Sequence, residues 1–90
     1  MEKGSFVVVK LTSEAGTVKY YLAQVLKVLP HLCEVQYLRC KKGKNEKVYV
    51  FPDIPDKSFV ERNKMLKKVI ATPQRRGGFL CPSLSNLKIE

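Results

Sequence analysis

The sequence predicts a mostly β protein: a small five-stranded antiparallel barrel with a short helical turn and a C-terminal tail. Two observations lead to this class. Runs of β-branched and aromatic residues alternate with short turn segments along most of the chain. The chain also has only 90 residues, enough for one core, and closing a short sheet into a barrel removes edges that would otherwise aggregate.

The first two strands are predicted at 5–12 and 17–29. The segment "SFVVVKLT" is β-branched and lies between Gly4 and the turn "SEAG". The segment "TVKYYLAQVLKVL" is apolar on both of its alternating faces. This indicates either a central strand or one that bends so that each half buries a different face. A helix over this segment is the less favoured alternative, because it lacks a helical apolar stripe.

A hairpin is predicted from 32 to 51. Its first strand, "LCEVQYLRC", alternates cleanly and places Cys33, Val35 and Tyr37 on one face. The loop is "KKGKN", in which Gly43 supplies a residue with positive φ. The segment "EKVYVF" then returns as the partner strand.

The end of the predicted barrel is open to two interpretations. The prolines of "PDIPD" break the sheet. In the following "SFVERNKMLKKVIATP", Phe59, Leu66 and Ile70 could form a helical stripe. Alternatively, one strand ends at "FV", "ERNK" makes a tight turn and "MLKKVI" forms the last strand. The second interpretation is favoured because Asn63 suits a turn. The barrel is then expected over 1–71, and 72–90 is a connector and tail that can pack back on it.

The chain is strongly basic, with 17 Lys and Arg against 8 Asp and Glu and a net charge of +9. Such a charge attracts nucleic acid, an anionic membrane or an acidic protein. The odd count of three cysteines and the lack of a signal-peptide pattern predict a reducing, intracellular location. A "KKGK" patch favours the nucleus. The N-terminal apolar run is too short to span a membrane, so no membrane association is expected.

Clustered basic residues are the predicted contacts to the phosphates of DNA or RNA. Twelve of the 17 lie between Arg39 and Arg76. The predicted contacts are Arg39, Lys41, Lys42, Lys44, Lys47, Lys67, Lys68, Arg75 and Arg76. If the fold brings them to one side, binding is expected to depend steeply on salt. The alternative is a solvated hairpin tip and a flexible linker that bind nothing.

Surface aromatic residues are the alternative, peptide-binding site. They are Tyr21, Tyr37, Tyr49 and Phe51. With Val48 and Val50 pointing inward, Tyr49 and Phe51 are expected outside, beside Lys47. There they could stack on bases or anchor a peptide. Packing beneath the protein's own "PDIPD" loop is slightly favoured over both.

The sequence predicts no enzyme, no cofactor, no metal and no small-molecule substrate. His31, Cys33, Cys40 and Cys81 are zinc-binding residue types, but no Cys-x-x-Cys pair occurs. The acidic pair Asp53 and Asp56 has no second pair to complete an acid–base site.

The order of these features resembles the Tudor-like, SH3-like barrel family over about residues 4–71. The segments that carry the resemblance are "VVVKL", a turn at Gly16, "YYLAQVLKV", "EVQYL" and "FVERNKML". The family pattern has an aromatic, a small and an apolar residue in the second strand. It also has an aromatic in the third strand and two apolar residues on either side of the last turn. These are Tyr21, Ala23, Val25, Tyr37, Val60 and Met65.

Members of this family commonly bind methylated lysine or arginine in an aromatic cage at the barrel mouth, and the resemblance implies such a cage here. Tyr21 and Tyr37 match two walls of that cage. Leu11 stands where the first-strand aromatic is expected, and Arg39 where a polar or acidic residue is expected. The resemblance therefore implies the fold, and these departures count against methyl-lysine binding.

The sequence as a whole predicts a non-enzymatic interaction module, nuclear or chromatin-associated, whose basic face contacts nucleic acid. The alternative is a Tudor-like module that binds an acidic or methylated peptide, or a partner domain. A third possibility is a DNA-holding domain of a transposon-derived or integrase-like protein.

Overall fold

The computed structural model describes residues 2–42, 47–75, 77–81 and 89, without the side chain of Lys42. The described chain is mostly β and contains no α-helix. Its strands are β1 (Phe6–Thr12), β2 (Val18–Val28), β3 (Leu32–Tyr37), β4 (Arg39–Lys42), β5 (Lys47–Val50), β6 (Lys57–Glu61), β7 (Met65–Val69), β8 (Thr72–Pro73) and β9 (Phe79–Leu80). Within these ranges no helix has the length and apolar content needed to cross a bilayer.

The first sheet has the strand order β6-β3-β2-β1-β7, and all neighbouring strands are antiparallel. One face of this sheet carries a buried cluster, called here the first core. Its members are Val7, Val9, Ala23, Val25, Cys33, Val35, Tyr37, Val60 and Met65. Branched side chains dominate it because they pack well on a pleated surface.

The second sheet has the order β4-β5-β9-β8 and packs on the other face of the first sheet. The residues between the sheets form the second core. They are Val8, Leu22, Leu38, Tyr49, Val69, Cys81 and Ile89. Strand β2 is therefore buried on both faces, with Ala23 in the first core and Leu22 in the second. The prediction of a central strand at 17–29 is confirmed, and the helix alternative is wrong.

The predicted strand 32–40 is divided between the two sheets at Leu38. Tyr37 donates its backbone N–H to the carbonyl of Asp56 at 2.8 Å, whereas Leu38 donates to Leu22 at 2.8 Å. The predicted hairpin exists, but its first strand is β4, whose Arg39 pairs with Val50 of β5. The predicted loop "KKGKN" is partly outside the described residues, which resume at position 47.

The segment after "PDIPD" follows the favoured interpretation. Strand β6 ends at Glu61, a 3₁₀ turn spans Arg62–Lys64, and β7 follows directly. The helical alternative is wrong, because Met65 enters the first core and Val69 the second. No described residues of β6 and β7 pair with each other, so the first sheet is open rather than a closed barrel.

The C-terminal segment contributes to the second sheet. Strands β8 and β9 pair with each other, and Phe79 of β9 pairs with Tyr49 of β5. Cys81 and Ile89 are buried in the second core. The described part of 72–90 thus covers a face of the first sheet.

Candidate functional site

Two tyrosines meet at the margin of the first core. Tyr37 on β3 pairs with Ala23 on β2, so Tyr21 lies diagonally across from it on the same face. Their ring centroids are 5.5 Å apart at an angle of 59°. This is a favourable tilted arrangement of two aromatic rings. Tyr37 is buried, while Tyr21 keeps part of its ring accessible.

Arg39 lies over Tyr21, one member of this tyrosine pair. The centre of its guanidinium group is 5.6 Å from the centroid of the Tyr21 ring. Its Nη2 also donates a hydrogen bond to Oδ2 of Asp56 at 2.5 Å. The side chains of Arg39 and Asp56 are 46% and 39% exposed, so water screens their attraction. Arg39, a predicted phosphate contact, is thus already engaged within the chain.

The environment of Tyr37 keeps its hydroxyl group neutral. Burial is the largest of the causes that raise its pKa above the ordinary value, and the Asp56 carboxylate and Tyr21 add to the rise. A hydrogen bond with Ser58 and the charge of Arg39 act in the opposite direction. The site therefore combines the Tyr37 phenol, the neighbouring Tyr21 ring and the Arg39–Asp56 ion pair.

Tyr49 is not on the surface. It is 1% exposed and lies in the second core, whereas Val48 and Val50 on the other face of β5 are only half-buried. The prediction of inward valines and an outward Tyr49 is wrong. Its cause is the second sheet, which packs the Tyr49 face of β5 onto the first sheet.

Phe51 also packs within the protein. Its ring meets that of Phe79 edge-on, with centroids 5.9 Å apart, and Phe79 lies 4.9 Å from Phe6. The covering segment is β9, not the expected "PDIPD" loop. The signal that could have found it is "GGFL", an aromatic and an apolar residue after two glycines that allow a tight turn.

Apart from Arg39, the predicted basic contacts that the structure describes occupy three separate places. Lys41 is exposed on β4 and Lys47 half-buried on β5, at the end of the β4–β5 hairpin that adjoins residues 43–46. Arg75 is exposed in the turn between β8 and β9. This turn lies at the opposite end of the second sheet. Phe79 pairs with Tyr49 in an antiparallel register, so the residues before Phe79 lie toward Val50 and away from Lys47.

The third place is strand β7. Lys67 pairs with Val8 and Lys68 with Val7, so these two exposed lysines point to opposite faces of the first sheet. The side chain of Lys42, and Lys44 and Arg76 as a whole, lie outside the described residues. No described carboxylate pairs with the basic groups in these three places: Lys41, Lys47, Lys67, Lys68 and Arg75.

The cysteines are distributed over both cores. Cys33 is buried in the first core, while Cys40 and Cys81 border and enter the second. The first sheet therefore separates Cys33 from the other two. Within the described ranges, no group of three or more His, Cys, Asp or Glu side chains could hold a metal ion.

The fold and these surfaces define a small protein of two packed antiparallel sheets, with Arg39 over one of a pair of tyrosines and with basic side chains that, among the described residues, have no carboxylate partner. Comparison with protein-family models, with curated protein sequences and with solved structures gives no match.

Proposed function

We propose that this chain is a non-enzymatic interaction module built on an SH3-like, Tudor-like fold. The support is the strand order β6-β3-β2-β1-β7. Its two edge strands are consecutive in the chain and are joined by the Arg62–Lys64 turn, as in the family pattern that the sequence resembles. The hairpin β4–β5 and the C-terminal segment add a second sheet to this unit.

The proposed ligand is nucleic acid, DNA or RNA, in a nuclear or chromatin-associated setting. The observation that carries this proposal is the set of exposed basic side chains without a described carboxylate partner. Such charges attract phosphates and release the counterions bound to them. The hairpin lysines Lys41, Lys42, Lys44 and Lys47 are the main proposed contacts, and Lys67, Lys68, Arg75 and Arg76 add to them.

The proposed binding does not depend on base sequence, because the basic side chains lie apart and the described exposed faces offer no aromatic beside the hairpin lysines. Each phosphate contact on duplex DNA contributes about −0.9 to the slope of log K against log salt. Four hairpin contacts therefore correspond to a slope of roughly −3 to −4.

The experiment measures fluorescence anisotropy of a labelled DNA duplex from about 50 to 200 mM salt, the range in which phosphate contacts are strongly screened. The triple variant Lys41→Glu, Lys42→Glu, Lys44→Glu is expected to lose most of the affinity and to flatten the slope. The control, Lys3→Glu, Lys10→Glu, Lys64→Glu, makes the same change in net charge elsewhere. No binding at low salt, a slope near zero, or an equal loss in both variants would refute the proposal.

A second candidate function is binding of a peptide, acidic or methylated, at the tyrosine pair. The observation that favours a methylated cation is Arg39, which lies over Tyr21 and is held by Asp56. The Tyr21 ring and the Asp56 carboxylate already hold one cation there, with the Tyr37 ring beside them. A methylated lysine or arginine side chain from a partner could take the same place if Arg39 moved away.

The test of this second function uses Arg39→Ala and a peptide carrying trimethyl-lysine. The variant is expected to bind it with shifts of the Tyr21 and Tyr37 ring resonances, and the native protein to bind much more weakly. The control is the double variant Arg39→Ala, Tyr21→Ala, which lacks one ring. Equal or absent binding by all three proteins would exclude a cation site at the tyrosine pair.

A further inference from the structure

Strand β6 is an edge strand of the first sheet, and none of the described strands pairs with its outer edge. Its register with β3 pairs Val35 with Ser58, and the Tyr37 N–H bonds to the carbonyl of Asp56. Because bonding alternates along an antiparallel pair, Ser58 and Val60 direct their backbone groups to β3. The backbone groups of Lys57, Phe59 and Glu61 therefore point away from β3, and no described strand pairs with them.

The side chains of Lys57, Phe59 and Glu61 share one face of β6, because they alternate with Ser58 and Val60. Phe59 is 58% exposed, and the two charged residues on either side of it are exposed as well. At the backbone, the Phe59 carbonyl receives only a long contact of 3.4 Å from the Ser58 hydroxyl. An exposed aromatic on an unpaired edge strand is a feature that monomeric proteins usually avoid.

We propose that β6 pairs with β6 of a second copy of this chain, antiparallel and about a two-fold axis at Phe59. In that register, Phe59 lies beside Phe59 of the second copy. Lys57 lies opposite Glu61 of the second copy, and the symmetry repeats this ion pair. The residues that face each other are those whose N–H and C=O groups point away from β3, so each pair can exchange two hydrogen bonds.

The segment "KSFVE" is what selects a second copy as the partner. Its basic residue, central aromatic and acidic residue are self-complementary when the strand is turned end for end. Opposite charges and aromatic pairs directly across two strands are stabilising, whereas like charges are destabilising. Shifting the register by two residues would place Phe59 opposite a charged side chain, so the pairing centred on Phe59 is favoured.

The interface is small, since only one five-residue strand from each copy takes part. Interfaces of this size are weak and transient, and two chains of charge +9 repel each other at a distance. The dimer is therefore expected at high protein concentration and not at low concentration.

The first test is a dilution series followed by sedimentation and by amide NMR. The native protein is expected to dimerise as concentration rises, with the largest amide shifts at Lys57, Phe59 and Glu61. Phe59→Ala is expected to sediment as a monomer. The matched control is Leu66→Ala, which removes another half-exposed apolar side chain from β7 and should leave the dimer unchanged.

The second test exchanges the charges. Lys57→Glu and Glu61→Lys should each be monomeric, because each places like charges opposite one another. A mixture of the two variants restores both ion pairs and is expected to form a heterodimer. The control Lys64→Glu changes the net charge as Lys57→Glu does but leaves β6 intact. A native protein that is monomeric at all concentrations, or a mixture that fails to associate, would overturn the proposal.

Discussion

The side chain of Tyr49, on β5 of the second sheet, is buried in the second core between the two sheets. Its phenol ring is almost fully enclosed, and burial, followed by the neighbouring Cys40 and Cys81, raises its pKa from the ordinary 10.0 to about 12. A hydrogen bond with Cys40 contributes to the same rise. The folded protein therefore holds the Tyr49 proton more tightly than the unfolded chain does.

This difference predicts a loss of stability in alkali. The stabilisation is complete below pH 10, where Tyr49 is protonated in both states. It falls between about pH 10 and 12, where only the folded state keeps the proton. The loss attributable to Tyr49 is about 2–3 kcal/mol. Urea unfolding across this pH range should show a steeper loss for the native protein than for Tyr49→Phe.

Comparison of the two proteins at pH 8 serves as the control, since any difference there reflects the missing hydroxyl group and not its titration. Parallel pH profiles for the native protein and Tyr49→Phe would show that Tyr49 is ionised as easily in the folded as in the unfolded chain.

The Arg39–Asp56 ion pair should contribute little to folding. Both side chains are partly exposed, and exposed ion pairs are typically worth less than about 1 kcal/mol. A double-mutant cycle with Arg39→Ala and Asp56→Ala is expected to give a coupling free energy in that range. A coupling above about 2 kcal/mol would contradict the screened geometry. We therefore expect Arg39 to add little to the stability of the fold through this ion pair.

Among the elements, β9 joins the C-terminal segment to the hairpin by pairing with β5. Gly78, the residue just before β9, allows the two strands to lie this close. Gly78 has φ +81°, and a Cβ atom there would lie 2.6 Å from Cγ1 of Val48 and 3.0 Å from Cγ1 of Val50. The backbone of Gly78 thus covers the two valines that the sequence pattern assigned to the core.

Gly78→Ala is expected to destabilise the protein more than Gly16→Ala does. Both glycines have positive φ, but a Cβ atom at Gly16 would have no neighbouring atom within 4 Å. Each substitution incurs roughly 1–2 kcal/mol of backbone strain, and Gly78→Ala adds about 1–3 kcal/mol of overpacking. Thermal unfolding of the two variants measures the difference. Equal destabilisation would mean that β9 can shift away from β5 without cost.

For the whole molecule, the two sheets depend on each other through the second core. Phe79, Cys81 and Ile89 cover Phe6 and Tyr49. A chain cut after residue 71 would expose this apolar surface to water.

The chain 1–71 is expected to be much less stable than the full chain, with a lower urea midpoint and binding of a hydrophobic dye. Full-length Phe79→Ala is the intermediate case, with a loss of about 3–5 kcal/mol if the site cannot collapse. An unchanged urea midpoint for 1–71 would show that the first sheet is stable alone.

Much of the fold follows from local patterns. The alternation of Cys33, Val35 and Tyr37, the two apolar faces around Leu22 and Ala23, and the turn before Met65 all depend on neighbours in sequence. These features were predicted correctly because strand periodicity and turn chemistry act over a few residues.

The candidate site was predicted less completely. The pattern placed Tyr21, Tyr37 and Arg39 on adjoining strands, but not Asp56, which reaches Arg39 only after the "PDIPD" segment folds back. The change of sheet at Leu38 was not predicted either. It depends on the hydrogen bond from Leu38 to Leu22 of β2, and no glycine or proline marks it in the sequence.

The sequence by itself determined a basic, strand-rich chain with a central strand buried on both faces. Only the tertiary structure decided which face of β5 is inside and that Gly78 covers Val48 and Val50. It also decided that the described hairpin lysines, the β7 lysines and Arg75 lie in three separate places. Alternation defines two faces of a strand but does not choose between them. That choice depends on which distant segment packs there, and here the Tyr49 face of β5 packs on Val8 and Leu22 of the first sheet, which lie far earlier in the chain.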